Sequence, residues 1–458
     1  MPLRVAVVGA GITGLVAARG LLREGFSVSL YERWPDVGGQ ASAFDLGNGV
    51  WIDRYYHHLF ESDAHMIALH DELLPGQLEW HRSSVGMLAG GRIWPFTAPF
   101  DLLRYTPLAP IDRVRFGLSV LRLQRCRDQE WLDETPAVEW LRGACGEAAL
   151  NAVWGPLLLR KFGTEADRVP LAWLASKLAL RRKLRGKSAG REMLGYPKAS
   201  FQRIAWALAD EIQHAGGEIE LDRGLVRVER AGNGYLLRCS APKAYRSVGD
   251  SPAVSGREAH ADLVLLTTPT HVTRSLVDWP ARFAARLDDW SYRAAVVLLL
   301  ELVRPFSDTY WVNVVDRDAP FLGLIEHTNL VPAERYPARY LYVSNYVAPG
   351  SPLLRMSADE LLERYIPALR RASRTFSEHF VRRRWVFREP AAQPVPRVGQ
   401  RARLLPFASP RHGLFIANTT QIFPEDRGTN YSVRLGQDAA NAMAVAVRGR
   451  RPAEVRVA

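Results

Sequence analysis

The sequence predicts an α/β protein, a parallel sheet covered by helices on both faces, with a mixed sheet and a helical block inserted into it. Three observations carry this. An unalternated apolar run from Val5 to Val8 meets a glycine turn, an Ala- and Leu-rich helical stretch from Thr13 to Glu24, and a second strand from Ser27 to Tyr31. Continuous apolar strands need cover on both faces. Strands of the same kind return far downstream, in ADLVLLTTP and after Gly413. Between them, Ile111 to Leu180 reads as helical and Arg-rich, punctuated by Pro136, Pro156 and Pro170.

The remaining elements follow in order. Asp63 to Leu73 is a helix, as is Phe201 to Ala215, and GGEIELDRGLVRVER and GYLLRCS are strands. The polar, aperiodic stretch Ala241 to His260 reads as a long mobile hairpin loop. Strands recur at Ala294 to Leu302, Tyr340 to Val347 and Arg383 to Phe387, with a helix at Ala358 to Arg374 and a final strand-turn-helix from Gly413 to Val447. No internal repeat is visible. The expected division is one discontinuous α/β body (1–62, 195–290 and 388–458), a helical subdomain facing substrate or membrane (63–194), and a substrate-side sheet with a helix (291–387).

Composition sets the outer bounds. With 458 residues, 47% hydrophobic and 24% charged, the chain is too long for a single small module and too ordinary for a disordered, collagen-like or disulfide-scaffold protein. A net charge of +12 points to an anionic substrate or partner. Cys126, Cys145 and Cys239 form no CxxC pair and no metal-ligand spacing, so no metal is expected and a reducing compartment is. No secretory h-region precedes the first strand, and the apolar run Ala294 to Leu300 is far shorter than the ~20 residues of a membrane span. A cytoplasmic protein is expected, with any membrane contact peripheral.

Gly9-Ala10-Gly11-Ile12-Thr13-Gly14 is a GxGxxG between a strand and a helix, and Glu32 ends the next strand 18 residues beyond the last glycine. Such glycines permit a tight turn, close approach of a pyrophosphate and close helix packing, while the helix N-terminus offers N–H groups. Glu32 would accept hydrogen bonds from a ribose diol and disfavours a 2′-phosphate. A dinucleotide is the expected ligand.

The next segment, Arg33-Trp34-Pro35-Asp36-Val37-Gly38-Gly39-Gln40 and then Ala41-Ser42-Ala43-Phe44, resembles the RxGG extension of the glutathione-reductase-like flavoproteins. It is most similar to the branch holding amine oxidases, protoporphyrinogen oxidases and carotenoid desaturases. Gln40 stands where that family often has Arg. ADLVLLTTPTHV, REPAAQPVPRVG and the final Gly413 to Tyr431 segment keep the family's order, though Asn418 and Thr419 replace its Gly and Asp. The resemblance implies a Rossmann-like FAD domain and noncovalent FAD, there being no attachment cysteine near the last loop. It implies cofactor contacts from Gly9, Gly11, Ile12, Thr13, Gly14, Glu32, Arg33, Gly38, Gly39, Gln40 and Ala41. Val226 and Thr268 join them, with Asn418, Arg427, Gly428, Thr429 and Asn430 from the last loop.

DRYYHHLFES, Asp53 to Ser62, resembles the His-rich segment of UDP-galactopyranose mutase, in which the match to His58 lies near the flavin. His58 and His57 are therefore candidates for acid-base or hydrogen-bonding work, or else a satisfied half-buried pair. Arg160, with Lys161, could bind an anionic group or end a solvated helix. The run Arg181, Arg182, Lys183, Arg185, Lys187, Arg191 and the stretch FDLLRYTPLAPIDRVRFGLSVLRLQRCR can lie on an anionic bilayer or form a solvated helix face packed on its own core. No nucleic-acid module accompanies the charge. The expected activity is FAD-dependent oxidation of a small molecule, anionic or lipid-linked, by hydride transfer. The alternatives are a redox-neutral flavoenzyme of the mutase type and a flavin-free binding protein on the same fold, as in the GDP-dissociation inhibitors.

Overall fold

The computed structural model describes residues 1–47, 49–187, 192–240 and 254–449. Its centre is a five-stranded parallel sheet in the order Glu218–Glu220, Ser27–Tyr31, Arg4–Val8, Leu263–Leu266, Leu414–Ile416. Val5, Ala6, Val7 and Val8 are at most 4% exposed, so both faces of the middle strand are covered, as the unalternated pattern requires. Each of the three valines contributes roughly 1.5–3 kcal/mol on burial. Helix Ile12–Arg23 packs on one face through Leu15, Ala17, Ala18 and Leu21. The final helix, Thr429–Arg448, lies against it. Their backbones meet closely, because a Cβ on Gly20 would stand 2.9 Å from Ala440 Cβ and one on Gly436 2.6 Å from the Thr13 carbonyl.

A second, seven-stranded sheet runs Val381–Pro394, Tyr292–Leu302, Arg339–Val347, Gly323–Glu326, Trp311–Val314, Val85–Ala89, Arg92–Pro95. It is mixed, since Trp311–Val314 runs parallel to Val85–Ala89 while its other pairings are antiparallel. Helix Ala358–Ala372 covers it, begun by a capping box in which Ser357 Oγ accepts from the Glu360 amide at 3.2 Å and Glu360 Oε2 from the Ser357 amide at 2.7 Å.

Segment 63–194 is less purely helical than its composition suggests. Helices Pro110–Arg125, Ala137–Ala149, Gly155–Phe162 and Leu171–Lys187 are present, but Leu78–Arg82 pairs with Met193–Pro197, and the hairpin Val85–Pro95 belongs to the seven-stranded sheet. The hairpin turns at Gly90 and Gly91, with φ of 60° and 70°, the Gly-Gly signature of a tight two-residue turn. Strand Val381–Pro394 likewise runs on past residue 388, so one strand spans the expected boundary. The loop expected from 241 is already strand at Val254–Ala261; residues 241–253 and the side chains of the basic run from Arg181 to Arg191 lie outside the described residues.

Candidate functional site

A cavity of about 1390 Å³ opens at the carboxyl ends of the parallel strands, where ligands bind in open α/β sheets, and reaches the strand Val381–Pro394. It exceeds the ~300–1,000 Å³ that encloses a drug-sized molecule.

The glycine turn forms one wall, each glycine for its own reason. Gly9 sits at φ 105° and donates its amide to the Tyr31 carbonyl at 2.8 Å. A Cβ on Gly14 would lie 1.9 Å from the Gly9 carbonyl, so this residue closes the turn on its helix. A Cβ on Gly11 meets no protein atom within 4 Å; it would protrude into the cavity. Gly11 gives the helix no side-chain cap, so the amides of Ile12, Thr13 and Gly14 keep the partial positive charge of a helix start. Gly38, at φ 110°, donates to the Ala10 carbonyl at 2.8 Å and brings Gly39, Gln40 and Ala41 alongside. Glu32 is buried, and its carboxylate accepts from the amides of Ala10 at 2.7 Å and Trp34 at 3.0 Å. Burial raises its pKa despite these bonds.

The opposite wall is a second helix start. Gly428 precedes Thr429–Arg448 without a side-chain cap, and Gly428, Thr429 and Ser432 face the cavity. Asn418, the departure from the family's glycine, is absorbed by the loop: its Oδ1 accepts from the Thr420 amide and hydroxyl at 3.1 and 2.7 Å, and its Nδ2 donates to the Thr268 carbonyl at 3.0 Å. Arg427 reaches the cavity from this loop and bonds the Tyr346 hydroxyl. Burial disfavours its cation, but Tyr346, Asp426 and Tyr56 outweigh that and raise its pKa. The loop is anchored by buried Asp426, which lies 2.9 Å from Lys161 Nζ and 2.7 Å from Lys177 Nζ and accepts from Gln393 Nε2 at 3.1 Å. Burial would raise this carboxyl, yet the two lysines hold it well below its usual range.

Between the walls runs Arg54 to His58, pinned at both ends. Asp53 accepts from Tyr196 Oη at 2.7 Å and the Phe201 amide at 3.1 Å, while its carbonyl accepts from Tyr342 Oη at 2.6 Å. Burial pushes the Asp53 carboxyl up to about 7. His58 Nδ1 lies 2.9 Å from Tyr310 Oη. Arg54, Tyr55 and His57 are left facing the cavity. His57 Nδ1 is buried with no hydrogen-bond partner among the described residues. Burial, aided by Arg427, lowers its pKa to about 4, so the ring is neutral at physiological pH.

Of the residues expected from sequence, Gly9, Gly11, Ile12, Thr13, Gly14, Glu32 and Arg33 all line the cavity, with Gly38, Gly39, Gln40 and Ala41. Thr268, Asn418, Arg427, Gly428, Thr429 and His57 do so too. Four do not. A register shift between Leu225 and Arg227 turns Leu225 inward in place of Val226. Asn430 faces away from the cavity, its Oδ1 accepting from the Met66 amide at 3.1 Å. His58 packs against Phe60, Tyr310 and Trp311. Arg160 donates to the carbonyls of Ala319 and Phe321, each at 2.8 Å, and of Asp316, so it ties a loop of the second sheet to its helix, outside the cavity lining. Lys161 is likewise committed to Asp426. Sequence reasoning missed Tyr55, Arg355, Arg388 and Glu389, which also line the cavity. Tyr55 stood in the His-rich segment, and Arg388 and Glu389 open the segment REPAAQPVPRVG; Arg355 carried no signal.

Residues 12–442 match the family described as flavin-containing amine oxidoreductases. The chain belongs to that family. This amine-oxidoreductase-family chain is therefore an FAD-dependent oxidoreductase, and the cavity fits the cofactor. Two uncapped helix starts face it, Gly11 leaves room where a side chain would intrude, and Glu32 borders it. In fold it is similar to a protein assigned as protoporphyrinogen oxidase from Exiguobacterium sp. 255-15, at TM-score 0.75 and 18% identity over 97% of this chain and 99% of that one. Reduced UDP-galactopyranose mutase aligns at TM-score 0.72 and 16% identity, over 97% of each chain. In sequence it is 26% identical over 241 residues to 15-cis-phytoene desaturase of Synechococcus elongatus, covering 49% of this chain and 50% of that protein. Matches to carotenoid desaturases span 37% to 64% of those proteins' length.

Proposed function

We propose that this flavoenzyme oxidises a small molecule bearing an anionic group, and that the product lacks two hydrogens of the substrate. One observation carries the reading: His57 Nδ1, Arg388 Nε and Arg427 Nε are buried without hydrogen-bond partners among the described residues, and all three residues line the cavity. Buried polar groups are rarely left unpaired, so this end is built to receive hydrogen-bond acceptors. Around Tyr55 the guanidinium groups of Arg54, Arg388 and Arg427 stand against the carboxylate of Glu389, a balance suited to an anion.

FAD supplies a two-electron acceptor for a hydride leaving the substrate. The glycine turn and Gly428–Thr429 would hold its pyrophosphate between two helix starts, and Glu32 its ribose. Neutral His57 orients the reacting group by hydrogen bonding, since a ring with so low a pKa carries a single N–H and no positive charge at pH 7. Tyr55 and Phe387, packed edge to face at 6.3 Å, form an apolar wall that excludes water.

The test is anaerobic mixing with a panel of carboxylate- and phosphate-bearing amines and alkenes. A true substrate bleaches the flavin by one two-electron equivalent per site. Turnover seen only with dithionite-reduced enzyme, giving a product isomeric with its substrate, would overturn the reading in favour of mutase-type chemistry.

A further inference from the structure

Helix Pro110–Arg125 has two apolar faces, and its own core uses one of them. Phe116, Ser119 and Leu123 are buried inward, while Ile111, Val114 and Leu118 are 60%, 53% and 60% exposed, with Leu121 beyond them. The exposed four recur at 3-4-3 spacing, one narrow stripe on a helix turning 100° per residue. The preceding helix, Pro99–Arg104, packs on it, with Leu102 within reach of Gly117, and presents Phe100 and Leu103 at 73% and 59% exposure. Six large apolar side chains on two adjoining helices make a patch that folding leaves uncovered.

The charges around the patch decide what covers it. Helix Pro110–Arg125 carries four arginines and one aspartate. By helical spacing Arg115, Arg122 and Arg125, all exposed, border the stripe. Asp112 falls on the inward side, and Asp101 of the neighbouring helix is folded back onto the amides of Thr97 and Ala98 at 2.8 and 2.7 Å. An apolar stripe bordered by cations, with neither acid of its own two helices beside it, matches the boundary of an anionic bilayer, where acyl chains meet phosphate. A second copy of this face would set arginines against arginines. We propose that the helices Pro99–Arg104 and Pro110–Arg125 lie flat on an anionic membrane surface, Phe100, Leu103, Ile111, Val114, Leu118 and Leu121 entering the acyl boundary and the arginines holding lipid phosphates. The inference stands independently of the substrate reading.

The experiment is flotation of the FAD-loaded full chain with phosphatidylcholine vesicles, with and without roughly a third phosphatidylglycerol. Wild type should float with the anionic vesicles, less so at about 0.5 M salt, where charge attraction is screened. Val114→Glu with Leu118→Glu should lower the bound fraction about tenfold or more while flavin content and melting temperature stay unchanged, because both positions are exposed. Arg115→Gln with Arg122→Gln should weaken binding to anionic vesicles only. Equal recovery of wild type and both variants with either vesicle would overturn the proposal. So would light scattering that shows a wild-type dimer made monomeric by the glutamates, with no vesicle binding by either protein.

Discussion

His58 Nδ1 and the Tyr310 hydroxyl lie 2.9 Å apart inside the wall of the cavity, and this bond separates the fates of two adjacent histidines. The second ring is anchored to the seven-stranded sheet; the first, His57, is displayed to the ligand. His57→Ala should keep FAD bound and lower turnover roughly 10²-fold, the scale of a lost orienting group. His58→Phe should leave the flavin spectrum intact and cost about 1–3 kcal/mol of stability, because it leaves the buried Tyr310 hydroxyl without this partner. Steady-state kinetics and urea denaturation of both variants separate the two roles. Reversed effects would return the chemistry to His58.

Gly11→Val should abolish flavin binding without unfolding the chain. A side chain there meets no protein atom within 4 Å, so its bulk goes into the cavity and not into the core. A colourless protein with unchanged circular dichroism is expected. Stoichiometric FAD in that variant would place the nucleotide elsewhere.

Asp53 makes stability depend on pH in a defined direction. Its carboxyl rises from 3.8 to about 7 on folding through burial, so between these values the folded chain holds a proton that the unfolded chain has released. Its contribution is complete below about pH 4 and is lost as pH rises towards about 7, on the order of 3–4 kcal/mol in all. Asp53→Asn, whose side-chain carbonyl oxygen can still accept from the Tyr196 hydroxyl, should remove this slope. Urea midpoints at several pH values should therefore show the variant gaining on wild type as pH rises; parallel curves would exclude the assignment.

Asp426→Asn should weaken FAD binding at a distance. It removes the charge that Lys161 and Lys177 share and loosens the loop that carries Arg427 and Gly428. Lys177 is 41% exposed, so the stability loss should fall at or below the lower end of the ~3–5 kcal/mol of a broken buried pair. Flavin titration should show an affinity reduced about tenfold or more, with turnover at saturating FAD much less affected. Unchanged affinity would make Asp426 merely structural.

The nucleotide half of the fold was legible because it rests on local signals: apolar runs, glycines at set spacing, and an acid at the next strand's end. What failed to show depended on register or on contact between distant segments. Val226 and Leu225 differ only by which one a strand irregularity turns inward, and a one-residue slip exchanges the two faces. Asn430 was named with its neighbour Thr429, but its amide group is engaged by the Met66 backbone, a contact spanning 364 residues. Arg388 and Glu389 enter the cavity because strand Val381–Pro394 continues to its rim; the segment REPAAQPVPRVG marks the place in the sequence, but not that these two side chains reach the cavity. The hairpin at Gly90-Gly91 was written in the sequence, but the helical stretches around it obscured it.

The parallel sheet is assembled from strands near residues 4, 27, 218, 263 and 414, and the glycine turn is clamped by a helix beginning at Thr429. The pyrophosphate turn and the far wall of the site are separated by about 400 residues of chain. Pairings this distant form late in folding. A folding intermediate in which Thr429–Arg448 has not yet docked would therefore present the glycine turn with only one of the two helix starts that border the cavity, and full affinity for FAD should appear only with that docking.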